Sequence, residues 1–402
     1  MTAHGNQKKF NFMKKKQLNV AVVGLGFGTQ FIPIYQRHPS VNMYAICRRS
    51  PQALKAMGDA FGIPRRYSDY KDVLADPDVD FVHINTPIPT HGAMSIAALE
   101  AGKHVMCTVP MAIDVKECIK IVELVKATGL VYMMAETVLY SREFFFAKEL
   151  LASGELGELQ FLQGSHHQDM DGWPDVWPGL PPMYYATHCI SPCLALAGSQ
   201  AESVSCVGSG RIRDELARRH GSPFAVESAH IKLRNSELAV RVYRSLFETA
   251  RQYRESFDVF GTKKSIEWPL VEGEGLILHT AKRPQNECVE RVHAPDYADR
   301  LPPEIRPFTT KTFLDLEEYR HLAAEGADPD GSHSHLVLDP GSLEGHGGSH
   351  PHLVHEFVSA LLAGRDPFPN AMLSANYTCA GLLAHESAMR GGTPISLADY
   401  GL

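Results

Sequence analysis

The stretch NVAVVGLGFGT, residues 19–29, decides the fold. Its first five residues are mostly apolar and β-branched, which is typical of a buried strand in a parallel sheet. A glycine-rich turn follows at once and leads into a helical pattern. Glycines in such a turn let the backbone approach a pyrophosphate, which then lies at the helix N-terminus. The stretch therefore predicts a dinucleotide site at Gly24, Gly26, Phe27, Gly28 and Thr29, where Thr29 takes the usual last glycine position of GxGxxG.

Strand and helix patterns alternate from this stretch to about residue 138, with further strands predicted at 43–46, 79–84 and 131–135. This alternation is typical of a parallel, doubly wound sheet of the Rossmann type. Ligands of such sheets bind outside the carboxyl ends of the strands. The residues that fall at those ends, or open the helix that follows, are Asn85, Thr86, Pro87, His91, Val109, Pro110 and Glu136.

The residues after the second strand bear on which dinucleotide binds. An acidic residue there would accept a hydrogen bond from the ribose 2′-hydroxyl of NAD. This chain has Arg48, Arg49 and Ser50 instead. Arginine pairs with a 2′-phosphate, which favours NADP, whereas Arg48 stacked on the adenine would suit NAD. We expect tightly bound NAD, with NADP as the alternative.

Composition restricts the class of protein. With 402 residues, 44% of them hydrophobic and 21% charged, the chain is long enough for two globular domains. A net charge of −7 argues against nucleic acid or an anionic membrane as partner. No run of about 18 apolar residues predicts a membrane span. Eight cysteines without a CxxC pair indicate reduced thiols and a cytoplasmic protein.

The second half of the chain has a different pattern. From residue 157 onward longer strands are predicted, and two amphipathic helices follow at 353–362 and 373–389. We therefore expect a flexible basic tail over 1–17, a dinucleotide-binding domain over 18–138, and a substrate-binding α+β domain over 139–402.

Several polar groups in the second half suit carbohydrate chemistry. His188 and Tyr185 can move protons at a sugar hydroxyl, although a core histidine bonded to backbone is the alternative for His188. The loop over 166–179 mixes polar and indole groups, which favours sugar contact over an ordinary surface loop. Its candidate sugar contacts are His166, His167, Asp169, Asp171, Trp173 and Trp177. The histidine-rich tract over 331–352 raises a metal site, but no carboxylate or cysteine stands at ligand spacing, so we expect no metal there and place His346 near the cofactor.

Three pieces of the first half resemble the glucose-fructose oxidoreductase/inositol dehydrogenase family, written Gfo/Idh/MocA. They are the glycine turn, Asn85-Thr86-Pro87 with His91, and residues 101–105, AGKHV. The resemblance extends from Val20 to Leu397. It implies an open, mostly antiparallel sheet in the second domain and a homodimer or homotetramer. The family usually has Glu-Lys-Pro after that third piece, where the lysine helps proton transfer; this chain has Thr108-Val109-Pro110.

A smaller branch of the family is more similar in its motifs: the NAD-dependent glycosidases that resemble α-N-acetylgalactosaminidases. The stretches at 136–142, ETVLYSR, at 185–188, YATH, and at 345–348, GHGG, carry this likeness. The branch oxidises the C3 hydroxyl of a sugar transiently, eliminates the C1 substituent, adds water and returns the hydride. By resemblance, the catalytic candidates are Tyr185, His188, His346 and Glu136, and Tyr140 and Arg142 contact the substrate. Glu136 could instead orient the nicotinamide. A net sugar dehydrogenase and a non-catalytic sensor are the alternative functions.

Overall fold

The computed structural model describes residues 17–171, 179–251, 253–282, 288–311, 315, 317 and 345–398. The predictions for residues 1–16, for Trp173 and Trp177, and for most of the histidine-rich tract lie outside the described residues. The chain divides into two compact units. Unit 1 comprises residues 1–140 and 296–374, and unit 2 comprises residues 141–295 and 375–402.

Unit 1 is built on a six-stranded sheet with the order β3-β2-β1-β4-β5-β6. The strands are β1 Leu18–Val23, β2 Val41–Cys47, β3 Arg66–Tyr67, β4 Phe81–Ile84, β5 His104–Thr108 and β6 Tyr132–Ala135. All neighbouring strands run parallel, so the predicted Rossmann sheet is confirmed. Because β1 lies between β2 and β4, the strand order reverses at β1, and the crevice beside its carboxyl end is where such sheets bind ligands.

Helices connect these strands and bury an apolar face against the sheet. They are α1 Ile32–Arg37, α2 Pro51–Ala60, α3 Tyr70–Ala75, α4 His91–Glu100 and α5 Val115–Thr128. Side-chain oxygens of Ser50, Asp69 and Asp114 accept backbone hydrogen bonds at the starts of α2, α3 and α5. These caps satisfy amides that the first helical turn leaves without partners, which explains where each helix begins.

Unit 1 also includes residues 296–374, which differs from the continuous second domain expected over 139–402. The helix α9 Gly345–Ala363 packs on the 3₁₀ helices Thr137–Tyr140 and Arg306–Thr309. Gly348 explains part of this close packing, because a Cβ at that position would lie 2.3 Å from the Thr309 carbonyl oxygen. The sequence places this segment late in the chain, but its packing partners belong to the first unit.

Unit 2 contains a nine-stranded sheet with the order β14-β13-β12-β11-β7-β10-β9-β8-β15. Its main strands are β7 Leu159–His167, β8 Ala201–Ser209, β9 Val226–Leu233, β10 Ala239–Ser245 and β11 Arg254–Gly261. The shorter strands are β12 Lys264–Glu267, β13 Leu276–Thr280, β14 Cys288–Val292 and β15 Ile395–Ser396. Only β7 and β10 pair in parallel among the described strands of this sheet, so the mostly antiparallel sheet is confirmed.

The helices that accompany this sheet are α6 Arg142–Ala152, α7 Thr187–Ala197, α8 Asp214–His220 and α10 Ala371–Met389, which begins in unit 1. Of these, α7 packs on β7, β10 and β11. Gly164 of β7 allows α7 to approach closely, because a Cβ there would lie 2.1 Å from the Cys189 carbonyl oxygen. This contact sets the position of His188, the residue before Cys189, against β7. No helix in the described part of the chain is long and apolar enough to cross a bilayer.

Candidate functional site

The glycine turn after β1 is held by contacts that require its glycines. Gly24 has φ +90°, and a Cβ there would lie 2.5 Å from the Asn85 carbonyl oxygen. At Gly28 a Cβ would lie 3.0 Å from Cγ1 of Val22. A Cβ at Gly26 meets no described atom within 4 Å, so this glycine faces open space. The turn therefore presses against β4 on one side and leaves room for a ligand at Gly26.

Thr29 and Phe27 complete this turn in different ways. The backbone amide and the hydroxyl of Thr29 both donate hydrogen bonds to the Gly26 carbonyl, at 3.2 and 2.8 Å. The buried Thr29 therefore closes the turn. The Phe27 ring lies 5.7 Å from the ring of His346 and 5.5 Å from that of His350.

The turn after β4 carries polar groups towards the same end of the sheet. The Asn85 amide donates to the Val23 carbonyl at 2.7 Å, which joins the two strand ends. The Asn85 side chain donates to the His83 carbonyl at 3.2 Å, while its Oδ1 is buried and has no partner among the described residues. A buried acceptor without a partner is unfavourable, and a hydrogen-bond donor on a bound ligand would satisfy it.

His91 links two of the predicted cofactor turns. Its Nδ1 lies 2.8 Å from the Pro110 carbonyl oxygen and its Nε2 lies 2.7 Å from the Thr86 carbonyl oxygen. Burial lowers the pKa of His91, while its contacts with the two carbonyls oppose that shift. The Thr86 hydroxyl is 2.7 Å from that of Thr90. His91 thus positions the loops at Pro87 and Pro110 from within the core.

Arg48 and Arg49, which we predict to determine whether NAD or NADP binds, follow β2. Arg49 is exposed, and Arg48 is half-buried with its backbone amide bonded to the Tyr67 carbonyl. The Ser50 hydroxyl accepts from the Ala53 amide at 3.4 Å and caps α2. The arginine side chains are therefore available to a ligand, while Ser50 has a helix-capping role.

Val109 and Glu136 lie at the ends of β5 and β6. Val109 is 8% exposed and offers no group that can carry a proton. Glu136 is fully buried, and its Oε1 accepts from the Val138 amide at 3.2 Å. The buried Tyr140 donates its hydroxyl to the Phe368 carbonyl, within unit 1. Glu136 and Tyr140 therefore both contribute to the packing around the 3₁₀ helix Thr137–Tyr140.

His346 lies in an unusual backbone segment of unit 1. It has φ +46°, and Gly347 and Gly348 continue the left-handed conformation at φ +63° and +78°. Its Nδ1 lies 3.2 Å from Nε2 of His350. A non-glycine residue at positive φ is strained and is often found at functional sites. The structure brings His346 together with Phe27 of the glycine turn.

Unit 2 gathers the titratable residues Tyr185 and His188. Their rings lie 5.4 Å apart, and the His166 ring lies 5.6 Å from Tyr185 and 5.1 Å from His188. His188 is 2% exposed, and its Nε2 is 3.4 Å from Oε1 of Glu255. His166 Nε2 is 3.9 Å from the same oxygen. Two histidines, a tyrosine and a carboxylate thus form one acid–base cluster.

Arg244 holds the backbone of this acid–base cluster. Its guanidinium is fully buried, and burial lowers its pKa to about 10. It donates to the carbonyls of Tyr185 and His166, at 2.9 and 3.3 Å, and to Oε1 of Gln168 at 2.9 Å. A buried guanidinium bonded to several carbonyls fixes the positions of the segments that carry them.

The other predicted substrate residues of unit 2 lie outside the acid–base cluster. The half-buried His167 is adjacent to His166 on the strand, so it points to the opposite sheet face; its Nδ1 is 3.1 Å from the Ser245 hydroxyl. Asp171 forms an exposed ion pair with Arg213, and the exposed Asp169 accepts from the Asp171 amide. Arg142 is the first residue of α6.

Sequence reasoning missed Glu255 and Arg244. The sequence of each strand contains a sign of these residues. On β10, Arg244 follows Val240 and Val242 on the buried face. On β11, Glu255 precedes Phe257 and Val259 on the buried face. A charge at a buried, alternating position is uncommon and indicates a polar site.

Among the described residues, no group of three or more His, Cys, Asp or Glu side chains is arranged to hold a metal.

The residues around the glycine turn fit a dinucleotide. Gly26 leaves open space beside the backbone, and the buried Asn85 Oδ1 lacks a donor among the described residues. A Cβ at Gly26 would enter that space. These features suit the close backbone approach that a pyrophosphate requires.

Comparison with known proteins agrees with this geometry. Residues 18–136 match the Gfo/Idh/MocA model described as an oxidoreductase family with an NAD-binding Rossmann fold, and residues 144–267 match the family's C-terminal domain. Myo-inositol 2-dehydrogenase of Thermotoga maritima is 24% identical over 62% of this chain and 74% of its own length. A glycosyl hydrolase family 109 protein of Saccharopolyspora erythraea is 21% identical over 97% of this chain and 84% of its own length.

A solved structure is similar over nearly the whole chain. Levoglucosan dehydrogenase in complex with NADH and levoglucosan has a TM-score of 0.72 and 20% identity, covering 95% of this chain and 99% of that one. With other curated relatives the match spans less than two thirds of the relative's length, 40% in one and 43% in another. The models of the family's NAD-binding domain and of its C-terminal domain match successive parts of this chain. The chain belongs to the Gfo/Idh/MocA oxidoreductase family, whose Rossmann domain binds NAD.

Proposed function

We propose that this protein is an NAD-dependent enzyme that hydrolyses a glycoside without net redox change. The observation that carries the proposal is where the groups that can transfer protons lie in the two units. Val109 leaves the turn after β5 without a proton-transfer group, whereas Tyr185, His188 and His166 lie together in unit 2. The full-length similarity to a protein named for glycosyl hydrolase family 109 supports this choice.

Residues of unit 1 hold the cofactor in this proposal. Gly24, Gly26 and Gly28 give the pyrophosphate close access to the backbone, and Asn85 Oδ1 accepts a hydrogen bond from the ligand. Arg48 and Arg49, which follow β2, are the residues proposed to contact the adenosine ribose or its 2′-phosphate. When bound, NAD would supply the acceptor for a hydride from the sugar C3 and the donor that restores it.

Residues of unit 2 move the protons. Oxidation at C3 releases the O3 proton, which His188 accepts, and the resulting ketone makes the C2 proton acidic. A base removes that proton, the C1–O bond breaks, and the leaving oxygen takes a proton. Water then adds at C1 and a proton returns to C2. Return of the hydride to C3, with the proton held by His188 going back to O3, would leave net hydrolysis and no change in oxidation state. Tyr185, whose ring is 5.4 Å from that of His188, serves as the second proton carrier.

A net sugar dehydrogenase is the second candidate. Myo-inositol 2-dehydrogenase and levoglucosan dehydrogenase, which are similar to this chain, favour it. The same residues would serve, since oxidation of the hydroxyl needs a proton acceptor in either case. The two candidate functions differ in the fate of NADH, which a dehydrogenase releases and the proposed hydrolase uses to return the hydride to the sugar.

The experiment that separates the candidates measures two products from the same reaction. The purified protein is incubated with NAD and a panel of aryl glycosides, and with levoglucosan and myo-inositol. Phenol release without net NADH supports the hydrolase. Stoichiometric NADH from a sugar or polyol supports the dehydrogenase instead, and neither product from any substrate overturns both in favour of a non-catalytic sensor.

The assignment of His188 and Tyr185 has its own test. We expect His188→Ala to lower kcat by about 10²- to 10⁴-fold, because a positioned acid–base group contributes that much. Tyr185→Phe should cause a loss of similar order. Tightly bound NAD, followed by fluorescence titration, should be retained in both variants. Wild-type kcat in both variants would remove these residues from the site.

Self-association remains a proposal as well. We propose a homodimer or homotetramer formed through the sheet face of unit 2 that carries Phe161, Phe260 and Val207, the last 54% exposed. Light scattering of the purified protein would measure the mass of the assembly. A monomer at micromolar concentration would contradict it.

A further inference from the structure

We propose that Glu255 is a positioning residue for His188. Its carboxylate holds the imidazole in one orientation and one tautomer, and stabilises the ring after it accepts the substrate proton. This inference rests on the proposed function, since it assumes that His188 moves a proton during the reaction. It adds a carboxylate that the sequence motifs did not identify.

The geometry places Glu255 between two histidines. Its Oε1 is 3.4 Å from Nε2 of His188 and 3.9 Å from Nε2 of His166, and the hydroxyl of Tyr253 donates to the same oxygen. The Glu255 side chain is 8% exposed, and those of His188 and His166 are 2% and 0% exposed. At this burial the attraction between a carboxylate and an imidazolium is screened little by water.

Strand register places Glu255 on the same sheet face as His166 and Arg244. Glu255 of β11 lies directly opposite His166 of β7, and His166 lies opposite Arg244 of β10. Directly opposite residues point to the same face of a sheet, so the three side chains form one row beneath α7. The contact of Gly164 with the Cys189 carbonyl keeps α7 on this row. The register therefore places Glu255 on the sheet face that lies against α7.

The position of His188 in α7 explains why a carboxylate is needed. His188 is the second residue of α7, and the N-terminal end of a helix disfavours a positive charge. Burial disfavours the imidazolium further. A carboxylate at 3.4 Å opposes both effects. It also favours the tautomer with its proton on Nε2, which leaves Nδ1 as the proton acceptor.

A second buried His–Glu pair in unit 2 shows what a structural pair looks like. Glu227 Oε1 is 2.7 Å from Nδ1 of His385, and the same carboxylate accepts from the Met183 amide and the Ser222 hydroxyl. This pair ties the backbone before Tyr185 to a helix. In contrast, Glu255 faces the rings of two histidines and a tyrosine hydroxyl. Its contacts therefore suit a role in proton transfer.

The test compares a variant that removes the charge of Glu255 with one that keeps the charge on a shorter side chain. We expect Glu255→Gln to lower kcat about 10- to 100-fold with KM within about threefold, because orienting carboxylates contribute about that much. Glu255→Asp should recover part of the loss, since it restores the charge. Tyr253→Phe, which keeps the ring and removes the donor to Glu255, should have a smaller effect on kcat.

The matched control is Glu267→Gln. Glu267 Oε2 lies 2.8 Å from Nε2 of His279 in the same sheet, where the carboxylate is 44% exposed. The control should keep wild-type kcat. Wild-type kcat in Glu255→Gln would overturn the proposal, and so would a loss that Glu255→Asp does not reduce while the melting temperatures of all variants agree.

A spectroscopic measurement needs no turnover. Protein labelled with ¹⁵N-histidine reports the tautomer of each imidazole, and the His188 signals are assigned by their loss in His188→Asn. We expect the Nε2–H tautomer in the wild type and a mixture of tautomers in Glu255→Gln. An identical tautomer in both would overturn the inference. If the wild type acts on no sugar, the proposed function fails, but the spectra still decide whether Glu255 controls the ring.

Discussion

The glycine turn of unit 1 and the acid–base cluster of unit 2 differ in how far apart their residues lie in the sequence. The turn is local, since Gly24 to Thr29 and the strand before them are contiguous in sequence. The cluster takes Tyr185 and His188 from one segment, His166 from β7 and Glu255 from β11. A local motif can be recognised from residue types and spacing alone. A cluster of this kind becomes visible only when the strands are placed in register.

Buried histidines of this chain have different neighbours. In unit 1, His83 and His350 are buried, and burial lowers the pKa of each, so they pack as neutral rings. In unit 2, His188 and His166 face the carboxylate of Glu255. A buried histidine beside a carboxylate can hold a proton, whereas a buried neutral one resists it. Burial alone therefore does not separate a packing histidine from a reactive one.

The largest effect is expected from Gly24→Ala in the turn. The positive φ and the backbone contact with Asn85 leave no space for a Cβ, so the free energy of unfolding should fall by about 3 kcal/mol or more. NAD binding should be lost with it. Urea unfolding and a fluorescence titration with NAD measure the two effects.

Gly26→Ala is the matched control for this prediction. Gly26 has open space around it, but its backbone at φ −77° and ψ −102° lies outside the main regions allowed to alanine. Gly26→Ala should therefore lower the free energy of unfolding by about 1–3 kcal/mol, less than Gly24→Ala. Its methyl group should still weaken NAD binding, because it enters the space beside the backbone. Equal stability losses in the two variants would contradict this account of the turn.

The glycine turn, the parallel sheet and the mixed second sheet followed from sequence pattern and family resemblance, because alternation and glycine spacing are local properties. The return of residues 296–374 to unit 1 did not follow, since it depends on packing of α9 against Thr137–Tyr140. Glu255 and Arg244 were missed because their partners lie on neighbouring strands. The sequence motifs predict His188 as a candidate site residue, but the carboxylate beside it could be found only from the register of β11 with β7.

A smaller effect concerns the neutral histidines of unit 1. The pKa of His83 is lowered to about 3 by burial, against an ordinary value of 6.5. Below pH 6.5 the unfolded chain binds a proton that folded His83 does not, so stability falls as the pH falls from about 6.5 towards 3. His83→Phe should remove about 1.4 kcal/mol per pH unit from that slope.

Urea unfolding at several values between pH 6.5 and 4.5 measures the slope. The total slope includes other groups, so the comparison with wild type is the relevant quantity. An unchanged slope in His83→Phe would mean that His83 is protonated in the folded protein, as a histidine beside a carboxylate would be.

The smallest effect is expected at Asp171, which the sequence pattern predicts as a sugar contact and the structure places in an exposed ion pair. Asp171 and Arg213 are 42% and 55% exposed, and Arg213 also pairs with Glu248 at 2.8 Å. Exposed pairs contribute little, so Asp171→Asn should lower the free energy of unfolding by less than about 1 kcal/mol. If Asp171 contacts the sugar, KM should rise several-fold at unchanged kcat. Arg213→Gln breaks the same ion pair but removes no predicted sugar contact, so it should leave KM unchanged. A KM that rises equally in both variants would assign the effect to the loop that the ion pair holds, and a KM unchanged in both would remove Asp171 from the sugar site.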